Sequence, residues 1–204
     1  MSRRRRPVGP GARQADPATA PEPGPAPVRP GTVIQCGSLT PPRPWASQGL
    51  ALRVAAVEDQ AFLRALYADV RADEVALAGW PVPLAEAFLD SQFDLQSRHY
   101  ARAFPGAEIL LILAAGAPIG RLYLHDSDQG RLIVEFSLLA AWRGRGLGGA
   151  LIRQVQAQSR RAGLPRCWLH VAHHNPAARR LYDRLGFRVT GQDQTHCRMD
   201  WTPQ

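Results

Sequence analysis

Residues 132–149 read LIVEFSLLAAWRGRGLGG, an apolar run that leads through a tryptophan into a glycine-rich loop. The apolar run has the length and the composition of a buried strand. Gly163 then supplies the stop signal of a helix that begins in the loop. The stretch therefore predicts a strand over 132–139, a loop over 143–149 and a helix that Gly163 closes.

The predicted loop has the chemistry of an anion-binding site. Glycines let the backbone approach a ligand, and the N–H groups at the start of a helix point toward that ligand. Arg143 and Arg145 add positive charge, which suits a diphosphate. The spacing differs from the GxGxxG fingerprint of dinucleotide-binding proteins, and no βαβ repeat precedes it. A tight turn between strand and helix is the alternative interpretation.

A second motif follows one strand later, where residues 175–187 read NPAARRLYDRLGF. Asn175 is a good N-cap, and Pro176 fits the first position of a helix. Gly186 has the conformational freedom that the end of a helix often requires. The motif therefore predicts a short helix that follows a strand over 167–171.

The rest of the chain from Leu50 predicts further strands and helices. The periodicity of the apolar residues indicates helices from Glu58 and over 84–104, and strands over 50–57, 108–114, 119–125, 187–189 and 196–201. Short turns join the strands over 108–114, 119–125 and 132–139 into an antiparallel meander. In the long helix, the residues expected on the inner face are Phe88, Leu89, Phe93, Leu95 and Tyr100.

The first 46 residues have a different composition. They hold 11 of the 18 prolines, and seven arginines against two acidic residues. Because proline blocks both helix and sheet, we expect residues 1–46 to be a disordered extension and residues 47–204 to form the domain. The arginines at positions 3–6 are not followed by the apolar segment of a signal peptide, which predicts a cytoplasmic protein.

Charge and cysteine content argue against several functional classes. All 25 basic residues are arginine, and most of the net charge of +8 belongs to residues 1–46, so the domain itself is not charged like a nucleic-acid-binding protein. No apolar run is long enough to span a membrane. The three cysteines are far apart, and Cys167 with His173 and His174 lacks the spacing and the fourth ligand of a metal site. We therefore expect no metal and no membrane association, and the charge does not favour a nucleic-acid partner.

Together the two motifs resemble those of the GCN5-related N-acetyltransferase (GNAT) superfamily. The RxxGxG pattern of that family matches Arg143, Gly146 and Gly148, and its second signature matches residues 175–187. The resemblance extends over roughly residues 50–201. It implies the acyl-CoA N-acyltransferase fold, an α+β three-layer architecture. In this fold a mixed, mostly antiparallel sheet of about six or seven strands has a splayed cleft and helices on both faces. Ala140 is a departure, since the family often has proline there.

The resemblance implies a bacterial N-acetyltransferase that moves an acetyl group from acetyl-CoA to an amine by direct attack in a ternary complex. The acceptor would be a small-molecule or peptide amine, and the protein a monomer or a homodimer. Two other functions stay open: a non-catalytic acyl-CoA-binding sensor, and a nucleic-acid- or partner-binding protein that acts through its arginine-rich tail. The presence of Glu135 and Tyr182 favours the enzyme over the sensor.

The resemblance also assigns residues to the coenzyme. The diphosphate would lie on the backbone of the loop, the pantetheine arm would pair with the strand edge at Leu138 and Leu139, and an N–H near Leu138 would polarise the thioester carbonyl. Asn175 would hydrogen-bond the arm, with a helix N-cap as its other role. Arg179 would approach the phosphates or lie on a solvated helix face. The implied coenzyme-binding residues are Leu138, Leu139, Arg143, Gly144, Arg145, Gly146, Leu147, Gly148, Asn175 and Arg179.

Two proton transfers remain, one from the acceptor amine and one to the departing thiolate. An alkyl amine is mostly protonated at neutral pH. Glu135 is the expected base, because it lies in an apolar strand where many family members carry an acidic residue. An edge carboxylate that faces solvent is its alternative role. His125 and His170 are alternative bases, and a structural role is the other interpretation of each. Tyr182 occupies the position of the family's general acid, with a packed aromatic residue as the alternative.

The acceptor is expected to meet the acetyl group between the first two helices and the final hairpin. The candidate substrate-binding residues there are Trp80, Gln96, His99 and Tyr100. Trp80 and Tyr100 could equally be core aromatic residues. No acidic cluster indicates a polyamine or an aminoglycoside, and the sequence does not name the acceptor.

Overall fold

Seven strands form one sheet in the computed structural model, which describes Leu39 and residues 49–204. The strands are β1 (Leu50–Val54), β2 (Glu108–Ala114), β3 (Ala117–Ser127), β4 (Gly130–Leu138), β5 (Cys167–Ala172), β6 (Arg188–Gln192) and β7 (His196–Trp201). The helices are α1 (Gln60–Ala78), α2 (Val82–Ala103), α3 (Leu147–Arg161) and α4 (Pro176–Arg184), with short 3₁₀ turns at Val57–Asp59 and Ala140–Trp142. These elements agree with the sequence-based expectations to within a few residues at their ends.

The order of strands in the sheet is β1-β2-β3-β4-β5-β7-β6. Every neighbouring pair is antiparallel except β4 and β5, which are parallel. The chain passes from β4 to β5 through α3, since parallel neighbours need a long crossover connection. This mixed, mostly antiparallel sheet with its helices confirms the predicted fold class.

Helices cover both faces of the sheet. On one face, Leu63 of α1 and Phe93 of α2 share a core cluster with Leu111 of β2. On the other face, Ile152 of α3 shares a cluster with Leu122 of β3 and with apolar residues of α4. Each such fully buried side chain stabilises the fold by about 1.5–3 kcal/mol. The two sides are called the α1/α2 face and the α3/α4 face below.

Helix α2 turns to the sheet three of the five apolar residues predicted for its inner face, Leu89, Phe93 and Tyr100. Phe88 is 39% exposed and Leu95 is 50% exposed, so these two inner-face predictions are wrong. The inward side also carries Gln96, which follows Leu89 and Phe93 at the spacing of one helix face. The side-chain oxygen of Gln96 accepts a hydrogen bond from a buried arginine of β3. A polar site therefore lies under α2.

A buried ion pair fixes the turn between β3 and β4. Arg131 is fully buried, and its Nε and Nη2 donate to the carboxylate of Asp126 at 2.7 and 2.6 Å. We expect Asp126→Ala to lower the free energy of unfolding by about 3–5 kcal/mol, because the guanidinium would stay buried without its carboxylate. Urea unfolding measures the loss. Asp128→Ala, at an exposed position of the same turn, is the control. Equal midpoints for the two variants would contradict the assignment.

Leu39 is the one described residue of the first 46. It is 8% exposed and belongs to the core cluster of the α3/α4 face, which also contains Leu110 and Leu124. The rest of the predicted extension lies outside the described residues, and its disorder and the boundary at residue 46 stay predictions. Among the described residues, every helix is too short or too polar to cross a membrane.

Candidate functional site

The parallel strands β4 and β5 pair over three residues only and then separate. The pairs run from Arg131↔Cys167 to Ile133↔Leu169. Beyond them β4 continues to Leu138 and β5 to Ala172 without further pairing between the two strands. The sheet is therefore split by a cleft whose walls are the edges of β4 over 134–138 and of β5 over 170–172.

A β-bulge lies where the cleft opens. The register between β3 and β4 shifts from Leu124↔Ile133 to Tyr123↔Glu135, so Val134 is an extra residue in β4. A bulge bends its strand and increases the local twist. The end of β4 therefore bends at the point where it leaves β5.

The end of β4 directs one backbone donor into the cleft. The N–H of Leu139 donates to the carbonyl of Ile119 in β3 at 2.9 Å. Because successive residues of a strand direct their N–H groups to opposite sides, the N–H of Leu138 points away from β3 and toward the cleft. The N–H of Leu138 is thus not engaged by β3, whereas the N–H of Leu139 is.

The glycine-rich loop presents its backbone N–H groups at the start of α3. Within the described residues, hydrogen bonds engage the N–H groups of Arg143 and Ala150 but none of those over 144–149. Gly146 is the N-cap residue, and its φ of 82° is a conformation that glycine adopts without strain. The helix dipole adds partial positive charge at the same place. The loop can therefore hold an anion through its backbone.

Gly148 brings α3 against the edge of β4. A Cβ atom at this position would lie 3.0 Å from Cε1 of Phe136, closer than most side chains tolerate. Leu147, its neighbour, is buried. The glycine is needed for the close packing that places the loop directly beside the cleft.

The two arginines of the loop are engaged with protein groups. Arg143 donates through Nε to the carbonyl of Leu138 at 2.8 Å and through Nη2 to Asp69 of α1 at 2.7 Å. The guanidinium of Arg145 lies over the ring of Trp142, 5.1 Å from its centroid. Arg143 therefore fixes the loop to β4 and α1, a role that the sequence-based assignment to the phosphates did not include.

Helix α1 crosses the mouth of the cleft on the α1/α2 face. Asp69 accepts from the N–H of Ala140 at 2.9 Å as well as from Arg143, on the β4 side. One turn later, Oε1 of Glu74 lies 3.8 Å from Nε2 of His174, in the turn that follows β5. One helix thus contacts both walls of the cleft.

Glu135 is held in a polar network under α2. Its carboxylate accepts two hydrogen bonds from Arg121, one of them at 2.9 Å, and a third from the hydroxyl of Ser137 at 2.6 Å. Arg121 is 4% exposed and also donates to Gln96 at 2.9 Å. Glu135 is therefore the partner of a buried cation, and the alternative of a solvent-facing carboxylate is wrong.

Tyr182 lies on the opposite face of the sheet from Glu135. It is 8% exposed, its ring packs edge-on against Phe187 at 5.8 Å, and it shares a core cluster with Leu169 of β5. Burial raises the pKa of Tyr182 to about 12, and the nearby Cys167 thiol adds to the rise. Its hydroxyl forms no hydrogen bond within the described part of the chain.

Asn175 and Arg179 have partners within the protein. Oδ1 of Asn175 accepts from the N–H of Ala178 at 3.0 Å, which is the N-cap role considered for it. The guanidinium of Arg179 lies 3.5 Å from Sγ of Cys197 in β7. Arg179 is exposed, in agreement with its alternative role on a solvated helix face, and the contact with Cys197 was not predicted.

A contact between His173 and Cys197 has no signal in the sequence. Nδ1 of His173 lies 3.5 Å from the cysteine sulfur, and Nε2 lies 2.9 Å from the carbonyl oxygen of Asp193. The partners are 24 and 20 residues away in the chain, and only the pairing of β5 with β7 brings them together. Over Leu39 and 49–204 no group of side chains is arranged to hold a metal ion.

The two alternative bases lie in different places. His125 is in β3, where its ring packs on Phe104 and burial lowers its pKa, and β4 separates it from the cleft. His170 is the first residue of β5 beyond the pairing with β4. Its neighbours Leu169 and Val171 belong to the core of the α3/α4 face, so His170 points to the α1/α2 face.

The four candidate acceptor residues do not form one cluster. Gln96 joins the Arg121 network, and Tyr100 packs on Tyr123 at 5.6 Å with its pKa raised by burial. Trp80 is 41% exposed and packs edge-on on Phe88. It borders a groove of about 140 Å³ between α1 and α2. His99 is exposed on α2.

The chain matches the model of the Acetyltransferase (GNAT) family over residues 63–187. The matched range begins in α1 and ends just after α4, so it contains the glycine-rich loop, the cleft and Tyr182. It covers more than half of the 204 residues of the chain.

Two relatives match over shorter ranges. The uncharacterized N-acetyltransferase YycN of Bacillus subtilis is 32% identical over 76 residues, which are 35% of this chain and 49% of that protein. The mycothiol acetyltransferase of Nocardiopsis dassonvillei is 37% identical over 81 residues, 40% of this chain and 21% of that protein. The chain therefore spans less than half of the length of either relative.

A solved structure shares the fold over most of the described residues. The crystal structure of the PaiA N-acetyltransferase from Thermoplasma acidophilum, in complex with coenzyme A, is similar with a TM-score of 0.59 and 16% sequence identity. The similarity covers 76% of this chain and 99% of that one. At this identity the comparison establishes the fold alone.

Proposed function

The chain belongs to the GNAT family of acetyltransferases, and on this premise we propose that it transfers an acetyl group from acetyl-CoA to an amine. One observation carries the proposal. The unpaired backbone N–H groups over 144–149 border a cleft in the sheet, and a buried, neutral tyrosine shares the core on the α3/α4 side of that cleft. This arrangement supports an anion site, a channel and a hydrogen-bond donor for one extended ligand.

The loop fits the most highly charged part of coenzyme A. A diphosphate requires several donors and little competing negative charge, and the N–H groups at the start of α3 meet this need together with the helix dipole. The side chains of Arg143 and Arg145 hold the loop in shape. We therefore assign diphosphate binding to the backbone of 144–149.

The edge of β4 fits the extended arm of the coenzyme. An extended chain with amide groups can pair with an open strand edge, and the cleft exposes this edge over 134–138. Acetyl-CoA supplies an activated acyl thioester. The N–H of Leu138 is placed to donate to the thioester carbonyl and to stabilise the negative charge that develops on it.

Tyr182 is suited to assist the departing thiolate as a hydrogen-bond donor. With a pKa of about 12 the phenol stays protonated at every working pH. A thiol has an ordinary pKa of about 8.5, so complete proton transfer from the phenol is unfavourable and a short hydrogen bond is the favourable interaction. The phenol would therefore stabilise the thiolate as the carbon–sulfur bond breaks.

The acceptor amine would approach from the α1/α2 face, where α1 and α2 leave the groove beside Trp80. An alkyl ammonium has a pKa of about 10 and must lose a proton before its nitrogen can attack the carbonyl carbon. Glu135 from β4 and His170 from β5 are the acid–base groups on this side of the opening. We propose direct attack within a ternary complex on a small-molecule or peptide amine.

Asp69 is expected to support coenzyme binding from α1. Asp69→Ala removes the acceptor of Ala140 N–H and the partner of Arg143, so the loop should lose its fixed shape and bind acetyl-CoA about tenfold more weakly. Isothermal titration calorimetry measures the affinity. Asp73→Ala, one turn away at an exposed position of α1, is the matched control. Equal affinities in the two variants would show that the clamp has no role in binding.

The proposed function is tested by thiol release from acetyl-CoA. The full chain is mixed with acetyl-CoA and a panel of amino acids, arylamines, polyamines and peptides with free N-termini, and the product is identified by mass spectrometry. We expect thiol release that depends on an amine, with the acetyl group on that amine. Saturable binding of acetyl-CoA without turnover on any amine would instead support a sensor and would overturn the proposal.

A further inference from the structure

We propose that His170 is the general base that removes the proton from the acceptor amine, and that Glu135 is a positioning residue. This inference rests on the proposed function and changes the role that the sequence suggests for Glu135. It follows from three features: the place of His170 in the cleft, the hydrogen bonds of Glu135, and the groups that surround the imidazole.

His170 lies at the closed end of the cleft, where β4 and β5 begin to separate. Ile133↔Leu169 is the last pair between β4 and β5, so His170 is the first residue of β5 on the open side. It points to the α1/α2 face because its neighbours on both sides point to the other face. An amine that approaches the acetyl group from the α1/α2 face therefore meets this ring on one wall and Glu135 on the other.

Both oxygens of Glu135 are already engaged by the protein. Three hydrogen bonds from Arg121 and Ser137 occupy them, and two of these bonds come from a guanidinium that is 4% exposed. A charge-assisted pair with a buried guanidinium is costly to break. The carboxylate therefore holds Arg121 and Ser137 in place under α2 and, through Arg121, also Gln96.

The imidazole of His170, unlike the carboxylate of Glu135, is not engaged by other side chains that the structure describes. Its ring is in contact with solvent and forms no hydrogen bond within the described residues. The surrounding protein removes enough water to lower the pKa of His170, and Arg198 and His196 of β7 lower it further. The charged or titratable groups that act on it or share its side of the sheet are Arg198, His196 and Asp200 of β7, Asp193 of the turn before β7, and Glu135 across the cleft.

These neighbours leave the imidazole neutral at pH 7. Arg198 is itself bound to Asp200 through two hydrogen bonds of 2.9 and 3.2 Å, so its charge is largely balanced. Asp193 favours the protonated form of His170, but its carboxylate also accepts hydrogen bonds from the backbone around Thr195, and the net effect of all neighbours is a lowered pKa of His170. A neutral imidazole with a free nitrogen can take the proton of an ammonium as the nitrogen attacks.

His170→Gln tests the inference. With the panel amine of highest kcat/KM, we expect kcat/KM at pH 7 to fall about 100-fold. In the wild-type chain, activity should rise with pH as His170 loses its proton, at a pH below the ordinary histidine pKa of about 6.5. This acidic limb of the pH profile should disappear in the variant. The Kd of acetyl-CoA should stay within about twofold, because the ring does not touch the coenzyme loop. His196→Gln removes another exposed imidazole of the same sheet and should keep the limb, moved to slightly higher pH because His196 no longer lowers the pKa of His170.

Two further measurements separate a base from a structural residue. In His170→Ala, added imidazole should restore part of the rate, and NMR titration of the wild-type chain should give His170 a pKa below the ordinary histidine value. Glu135→Gln should lower the rate but keep the acidic limb. If His170→Gln keeps both its rate and its acidic limb while Glu135→Gln loses the limb, Glu135 is the base and the inference is overturned. Failure of the wild-type chain to acetylate any amine overturns the proposed function as well.

Discussion

Gly146→Asp is expected to weaken acetyl-CoA binding by about 10³-fold. Gly146 caps α3, and its neighbours on both sides present free N–H groups to the proposed diphosphate. A carboxylate about 4 Å from a phosphate costs roughly 4 kcal/mol at the dielectric constant typical of a protein surface. The new carboxylate would also compete with the diphosphate for the positive end of the helix dipole.

Gly146→Asn separates charge from shape. Asparagine has the size of aspartate, and both residues tolerate a positive φ. The two variants therefore carry similar backbone strain at the φ of 82°. We expect the neutral variant to bind acetyl-CoA within about tenfold of the wild-type chain. Calorimetry at two salt concentrations should show that added salt reduces the difference between the variants. Equal losses for both variants would place the diphosphate elsewhere.

Tyr182→Phe is expected to lower kcat by about 10³-fold while the Kd of acetyl-CoA stays nearly constant. The phenylalanine ring keeps the contact with Phe187 and the packing in the core, so the variant loses only the hydroxyl. A donor that acts on charge present only in the transition state lowers kcat and not ground-state binding.

Steady-state kinetics and calorimetry on the same preparation measure both parameters of Tyr182→Phe. Thermal unfolding provides the control, because the variant should unfold at nearly the wild-type temperature if the ring still packs. Loss of affinity in proportion to kcat would mean that the hydroxyl serves binding and would remove its role at the thiolate.

Most elements of the fold are predictable because local residues fix their ends. Gly163 and Gly186 follow α3 and α4 at the positive φ values that end a helix, and Pro176 begins α4. Apolar spacing predicted only part of the side of α2 that faces the sheet, since Leu89 and Phe93 pack inward while Phe88 and Leu95 are exposed. Gln96 takes an inward place because Arg121, 25 residues away, gives it a hydrogen bond there, and no local pattern carries that information.

The candidate site was predictable where a motif carries the chemistry and not where distant residues meet. The loop over 143–148 was identified from residue type and spacing, and Tyr182 from the resemblance of residues 175–187 to the family signature. The pairing of Asp69 with Arg143 joins residues 74 positions apart, and the Arg121–Glu135 pair depends on the register of β3 against β4. The bulge at Val134 shifts that register, so the partner of Glu135 could not be read from strand alternation alone.

The short pairing of β4 with β5, three residue pairs long, also affects how the sheet opens locally. This is the shortest strand pairing in the sheet, with β1 to β4 on one side and β5 to β7 on the other. Backbone amides in a short strand pairing lose their protection against hydrogen exchange more readily than those in a long pairing. The backbone amides of residues 131–133 and 167–169 are therefore expected to exchange faster than those in the longer pairing of β2 with β3.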